Sequence, residues 1–185
     1  MTDDLAWLDA TAQADLVRRG EVSSQELVDA AIGRIDKVDS ELNSVIHRRF
    51  DRATREAGGE LPDGPFRGVP FLVKDLYQAS AGDPMHNGTR VLRDAGYVPA
   101  ADSWLVGRYR TAGFVIVGRT NTPEFGLVPT TEPEAHGATR NRDGNIGVGT
   151  TDGDSCRKAW ANKIVRLPAT LAAVKRLSVL SSNRL

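Results

Sequence analysis

An apolar run that ends in a charged pair occupies residues 68–75, which read Gly68-Val69-Pro70-Phe71-Leu72-Val73-Lys74-Asp75. Short apolar runs bounded by glycine and proline are typical of strands that enter a protein core. In an extended strand the side chains alternate between the two faces. Lys74 then shares a face with Leu72 and Leu76, while Asp75 lies on the opposite face.

Two interpretations of Lys74 follow from this placement. A lysine held in apolar surroundings loses hydration, so its neutral form becomes accessible and it can act as a general base. Alternatively, Lys74 and Asp75 form a solvated strand end, because lysine is seldom fully buried. The residues alone favour the second interpretation.

Length and composition indicate an ordinary globular protein. The chain has 185 residues, of which 40% are hydrophobic and 26% charged, enough for one domain, or one domain with an appendage. The single cysteine, Cys156, excludes an internal disulfide and a cysteine zinc cluster. The acidic start, residues 1–4, is followed by no apolar signal region, and no run approaches membrane-spanning length. We therefore expect a cytoplasmic protein with no membrane association.

The net charge of zero conceals a split along the chain. No acidic residue follows Asp154, whereas seven basic residues do, so residues 155–185 carry +7 and residues 1–154 carry −7. Such asymmetry is typical of a separate tail. The basic residues of this segment are Arg157, Lys158, Lys163, Arg166, Lys175, Arg176 and Arg184.

Helices and buried strands alternate in the first part of the chain. The patterns predict helices over Ala10–Arg19, from the capping box at Ser23-Ser24-Gln25-Glu26, over a polar stretch ending at Gly58, and from Asp102 or Ser103 to Gly113. They predict strands at Val45-Ile46, at the run ending in Lys74, and at Phe114–Val117, the last covered on both faces. A long surface excursion is expected over 78–101, and a further helix from Thr122-Pro123-Glu124. This alternation predicts an α/β layered fold.

Several motifs, in collinear order from about Leu5 to Asn141, resemble the amidase signature family. They are Gly68-Val69-Pro70-Phe71-Leu72-Val73-Lys74-Asp75, then Ala112-Gly113-Phe114-Val115-Ile116-Val117-Gly118-Arg119-Thr120-Asn121-Thr122-Pro123-Glu124-Phe125, then Thr131-Glu132-Pro133-Glu134, and Gly137-Ala138-Thr139-Arg140-Asn141. The resemblance implies a partial α/β/α sandwich with a mixed sheet. It also implies hydrolysis of carboxylic amides by a Ser–Ser–Lys triad, with Lys74 as the base that acts through a bridging serine.

No residues of this chain match the two serines of that triad. After Asn141 the chain reads Arg142-Asp143-Gly144-Asn145-Ile146-Gly147-Val148, where the family has a Gly/Ser-rich block. Ser155 follows Asp152-Gly153-Asp154, which faintly resembles the surroundings of the family's nucleophile, and its role as a nucleophile stays open. The departure near Arg142 predicts a deletion or a shifted reading frame and an early stop.

We therefore divide the chain into residues 1–141, the N-terminal part of an amidase-like domain, and residues 142–185, a divergent and poorly packed basic tail. The first hypothesis is an amidase-family hydrolase, truncated and weakly active or inactive as written. The alternative is a non-catalytic remnant or binding module whose basic tail binds an acidic partner. If active, it would take a small-molecule amide; nucleic acid is not expected, and substrate identity and oligomeric state cannot be read from the sequence.

The remaining candidates concern metals and cofactors, and none is predicted. His47, His86 and His136 have no i,i+4 mates and no metal spacing, so we expect ordinary surface or loop histidines. The glycines of 144–153 lack the Gly-Lys-Ser/Thr of a phosphate-binding loop.

Overall fold

The computed structural model describes residues 4–140, and these form a three-stranded mixed sheet with helices on both faces. The strands are β1 (Val45–Arg48), β2 (Pro70–Lys74) and β3 (Val115–Thr120), in the order β1-β3-β2. β3 is antiparallel to β1 and parallel to β2. The α/β architecture and the mixed sheet predicted from the sequence are confirmed.

The helices are α1 (Ala10–Arg18), α2 (Ser24–Leu42), α3 (Phe50–Ala57), α4 (Arg90–Asp94) and α5 (Trp104–Thr111), with 3-10 turns at Asp4–Trp7 and Glu124–Gly126. The predicted capping box begins α2: the Ser23 hydroxyl accepts from the backbone N–H of Glu26, and the Glu26 carboxylate accepts from that of Ser23. Asp9 caps α1 in the same way, through the N–H of Ala12. No helix within residues 4–140 is long and apolar enough to cross a membrane.

β3 is the central strand of this sheet, and its side chains alternate between two hydrophobic clusters. Ile116, together with Phe114 just before the strand, packs against α5 and β2. Val115 and Val117 pack on the other face, against α2 and α3. The prediction of a strand covered on both faces is therefore confirmed.

β2 enters the core through a turn that requires glycine. Gly68 has φ +79°, and a Cβ built there would lie 2.0 Å from the Ser24 Oγ at the start of α2. The absence of a side chain lets β2 and α2 approach closely. Beyond this turn the alternation predicted for the strand holds, because Phe71, Val73 and Asp75 are buried and the residues between them are half-buried.

Three expectations from the sequence are wrong in part. β2 lies at the edge of the sheet formed by residues 4–140, so Lys74 does not end a central strand there. The excursion over 78–101 includes α4, and several of its polar residues are buried. No α-helix starts at Thr122, because Phe125 adopts φ +48° and its N–H bonds to the carbonyl of Asn87, which leaves only a 3-10 turn.

Candidate functional site

Lys74 is the last residue of β2, opposite Thr120 at the end of β3. It is half-buried, as are Leu72 and Leu76 on the same face. The predicted withdrawal of Lys74 from water is therefore met only in part. Across residues 4–140, no carboxylate forms an ion pair with its ammonium group.

Asp75 points away from Lys74, as predicted, and is fully buried. Its carboxylate accepts from the backbone N–H groups of His86 at 2.9 Å and Gly88 at 3.1 Å. Burial raises the pKa of Asp75, while the two N–H donors and the nearby Arg119 act in the opposite direction. Asp75 therefore fastens the loop that follows β2 to the end of the strand, and it does not hold Lys74 charged.

Arg119 is the buried cation of this region, with 2% of its surface exposed. Its Nη1 donates to the carbonyl oxygens of Lys74 at 3.1 Å and Gln78 at 2.9 Å, and its Nε lies 3.8 Å from Asp75. Burial lowers the pKa of Arg119, while the carboxylates of Asp75 and Asp83 raise it. Arg119 thus fixes the chain on both sides of the turn that follows Lys74.

The segment Gly137–Arg140, part of the last family motif, is bound to the same end of the sheet. Asn121, directly after β3, donates through its Nδ2 to the carbonyl of Gly137 and to the Thr139 Oγ1, both at 3.0 Å. The Thr139 hydroxyl donates in turn to the carbonyl of Asn43 at 2.8 Å. Motifs separated by more than 60 residues therefore converge where β2 and β3 end.

The arrangement supplies a fixed backbone frame around Lys74. The Lys74 carbonyl accepts from Arg119 and the Lys74 backbone N–H donates to the Gln78 Oε1, so neighbouring side chains fix the backbone of this residue. A serine nucleophile would still have to be brought within hydrogen-bond reach of this lysine or of a bridging hydroxyl. Ser155 and the predicted boundary after Asn141 lie outside the described residues.

The three histidines were expected to be ordinary surface or loop residues, and His86 and His136 do lie in loops, but the fold brings all three together. His47 on β1, His86 after β2 and His136 in a later loop place one ring nitrogen each within 4.8 Å of one another. Burial is the largest cause that lowers the pKa of each, to about 3 for His47 and about 4 for His136. Their separations of 39 and 50 residues gave no local signal, because chain folding alone brings them together.

Arg119 and Asp75 were also not identified as site residues from the sequence. The available signal was an arginine in a buried strand, two residues after the apolar run that ends at Val117, since a buried charge requires partners. The identity of those partners depends on the loop that follows β2, and that loop has no periodic pattern.

Known proteins share this framework. The amidase family model matches residues 26–143. A 6-aminohexanoate-cyclic-dimer hydrolase from Paenarthrobacter ureafaciens is 50% identical over 151 residues, which make up 80% of this chain and 30% of that protein. One subunit of the glutamyl-tRNA(Gln) amidotransferase of Salinispora arenicola is 40% identical over 146 residues, 75% of this chain and 29% of that protein.

Solved structures give the same result. The structure of a 6-aminohexanoate cyclic dimer hydrolase complexed with substrate has a TM-score of 0.74 and 46% identity, covering 84% of this chain and 33% of that one. A bacterial aryl acylamidase of the amidase signature enzymes has a TM-score of 0.73 and 28% identity, with coverages of 88% and 35%. The chain therefore belongs to the amidase signature family. It spans about a third of the length of these relatives.

Proposed function

We propose that residues 4–140 supply the base-bearing part of an amide hydrolase in which Lys74 is the general base. The observation that carries the proposal is the end of β2, where Lys74 is half-buried and has no ion pair with a carboxylate among residues 4–140. The surrounding backbone is fixed by Arg119 and Asp75. Family membership supports amide hydrolysis as the reaction class.

The substrate we propose is a small carboxylic amide. This proposal is supported by the similarity to proteins named 6-aminohexanoate-cyclic-dimer hydrolase and aryl acylamidase. The lysine would take the proton of a serine hydroxyl through a bridging hydroxyl. The serine oxygen would then attack the amide carbonyl, and the proton taken by the lysine would pass to the leaving nitrogen, so that an amine or ammonia departs and an acyl-serine remains. Water would hydrolyse this ester to the carboxylic acid and regenerate the serine. Cytoplasmic residence belongs to the same proposal and is supported by the single cysteine, Cys156.

We further propose that the 185-residue chain alone hydrolyses amides weakly or not at all. Nucleophile, bridge and base act as a unit, so a site without both serines retains little covalent chemistry even when the lysine is in place. Residues 142–151, where the family has its Gly/Ser-rich block, contain no serine, and Ser155 is the first serine after Asn141.

A panel of aryl and aliphatic amides tests this with the purified chain and its Lys74→Ala and Ser155→Ala variants. We expect the turnover of all three proteins to be at or near the background rate measured without protein. Robust turnover that both substitutions abolish would overturn the expectation of weak activity and make Ser155 the nucleophile. Robust turnover that persists in Lys74→Ala would refute the role of Lys74.

A further inference from the structure

Three imidazoles from distant segments form one cluster beside the site. The Nδ1 of His86 and the Nε2 of His136 form a hydrogen bond of 3.2 Å, and the planes of the two rings differ by 7°. The ring of His47 stands edge-on to both, at 82° to His86 and 86° to His136. Histidine is the commonest metal ligand in proteins, and three imidazoles with an open fourth position are a known zinc arrangement.

We propose that His47, His86 and His136 bind one divalent transition metal ion of the zinc type, through one imidazole nitrogen each. The fourth position would be taken by water or another exchangeable ligand. This inference does not rest on amide hydrolysis.

The nitrogen positions are close to those that a metal ion requires. Zn–N distances of 2.0–2.1 Å in tetrahedral geometry place two ligand nitrogens about 3.3 Å apart. The His86 Nδ1–His136 Nε2 distance of 3.2 Å is close to this value, and the two nitrogens form a hydrogen bond that metal binding would replace. All three nitrogens lie within 4.8 Å, so the largest adjustment is about 1.5 Å, and two of the residues stand on loops that can supply it.

His47 gives independent support, because one of its ring nitrogens lacks a hydrogen-bond partner. Its Nε2 is buried and has no hydrogen-bond partner among the described residues. A buried polar atom without a partner is costly, and each such atom in a native protein calls for an explanation. A metal ion bonded to this nitrogen would supply the partner.

The charges around the cluster are of both signs. The carboxylates of Asp75 and Asp83 act on it and favour a cation, whereas the guanidinium groups of Arg119 and Arg93 oppose one. With charges of both signs nearby, the proposed affinity rests on the three nitrogen ligands. His47 also lines a cavity of about 610 Å³ that would give an ion a route of entry.

The test is calorimetric titration of the full 185-residue chain with Zn²⁺, in a preparation free of added histidines. The chain contains only three histidines and one cysteine, so every imidazole ligand must come from this cluster. We expect one equivalent to bind with a dissociation constant below about 10 μM. With Co²⁺ in place of Zn²⁺, we expect visible d–d absorption of the intensity typical of tetrahedral coordination.

Variants identify the ligands. His86→Gln and His136→Gln should each weaken Zn²⁺ binding at least about tenfold, because even the outer partners of metal ligands are worth 10–100-fold in affinity. Cys156→Ser is the matched control and should leave the affinity unchanged. Unchanged affinity in both histidine variants would overturn the proposal, as would the absence of stoichiometric binding.

A measurement on the unsubstituted chain covers the case in which a variant fails to fold. Imidazole proton signals of all three histidines should shift together and saturate at one equivalent of Zn²⁺. Signals that stay in place, or a shift confined to one histidine, would contradict a shared site.

Discussion

Replacing Asp75 by alanine should destabilise the protein strongly, because its carboxylate joins the end of β2 to the loop that carries His86. The substitution leaves two buried N–H groups, those of His86 and Gly88, without their acceptor. It also removes the carboxylate nearest the buried guanidinium of Arg119, 3.8 Å away. The contacts that are lost therefore all lie at the end of β2, beside the proposed site.

The magnitude follows from these losses. Breaking a buried charge pair by removing one partner costs about 3–5 kcal/mol, and an unsatisfied buried donor costs about 1–3 kcal/mol. Burial raises the pKa of Asp75, so the carboxylate itself is costly to bury and part of the loss is recovered when it is removed. We therefore expect the free energy of unfolding to fall by about 3 kcal/mol, near the lower end of the range for a buried pair.

Urea unfolding followed by far-UV circular dichroism measures this change, with the slope against denaturant checked for constancy. Asp63→Ala is the matched control, because Asp63 is exposed, and its effect should stay within about 0.5 kcal/mol. Asp75→Asn should give an intermediate loss, since the amide keeps one acceptor oxygen. A loss for Asp75→Ala within about 1 kcal/mol of that for Asp63→Ala would refute the anchoring role of Asp75.

Three further substitutions test the fold, each by the same urea unfolding. Ser23→Ala removes the cap of α2 and should cost about 1 kcal/mol, and a cost no larger than that of an exposed substitution would contradict the capping role. Gly68→Ala should cost about 1–3 kcal/mol, because the residue has φ +79° and the new Cβ would meet Ser24; a neutral effect would show that the turn relaxes easily. Ile116→Ala leaves a cavity beneath the central strand and should cost about 2–5 kcal/mol, whereas under 1 kcal/mol would mean that this core is loosely packed.

The sequence predicted the elements whose signals are local. The capping box at Ser23 lies within four residues, and the apolar run before Gly118 shows its burial on both faces directly. The alternation of Lys74 and Asp75 also follows from strand geometry alone. Each of these features depends on neighbours that are close along the chain, so pattern and propensity suffice.

The contacts that organise the site are long-range and could not be predicted. The N–H donors of Asp75 come from residues 11 and 13 positions away, and Asn121 is bound to Thr139, 18 positions away. The prediction of a helix at Thr122 was wrong. The backbone N–H of Phe125 bonds to the carbonyl of Asn87, and this contact outweighed the local helix-start signal. Tertiary contacts override local preference in such loops.

The prediction that β2 is a central strand was wrong for a related reason. A continuous apolar run indicates that a strand is buried, but it does not show which strand lies in the centre of the sheet. β3 takes that place because it pairs with both other strands, in opposite orientations. Lys74 consequently stands at the edge of the sheet that residues 4–140 form.

The central claim, that Lys74 is the base of an amide-hydrolysing site, is tested most directly in a chimera. Residues 5–141 would replace the corresponding segment of the 6-aminohexanoate-cyclic-dimer hydrolase, half of whose aligned residues are identical to those of this chain. The measurement is hydrolysis of the cyclic dimer by the chimera, with Lys74→Ala and, as the matched control, Lys37→Ala at an exposed position of α2. We expect an active chimera whose kcat falls at least about 100-fold in Lys74→Ala and stays unchanged in Lys37→Ala. An active chimera that keeps its kcat in Lys74→Ala would contradict the claim.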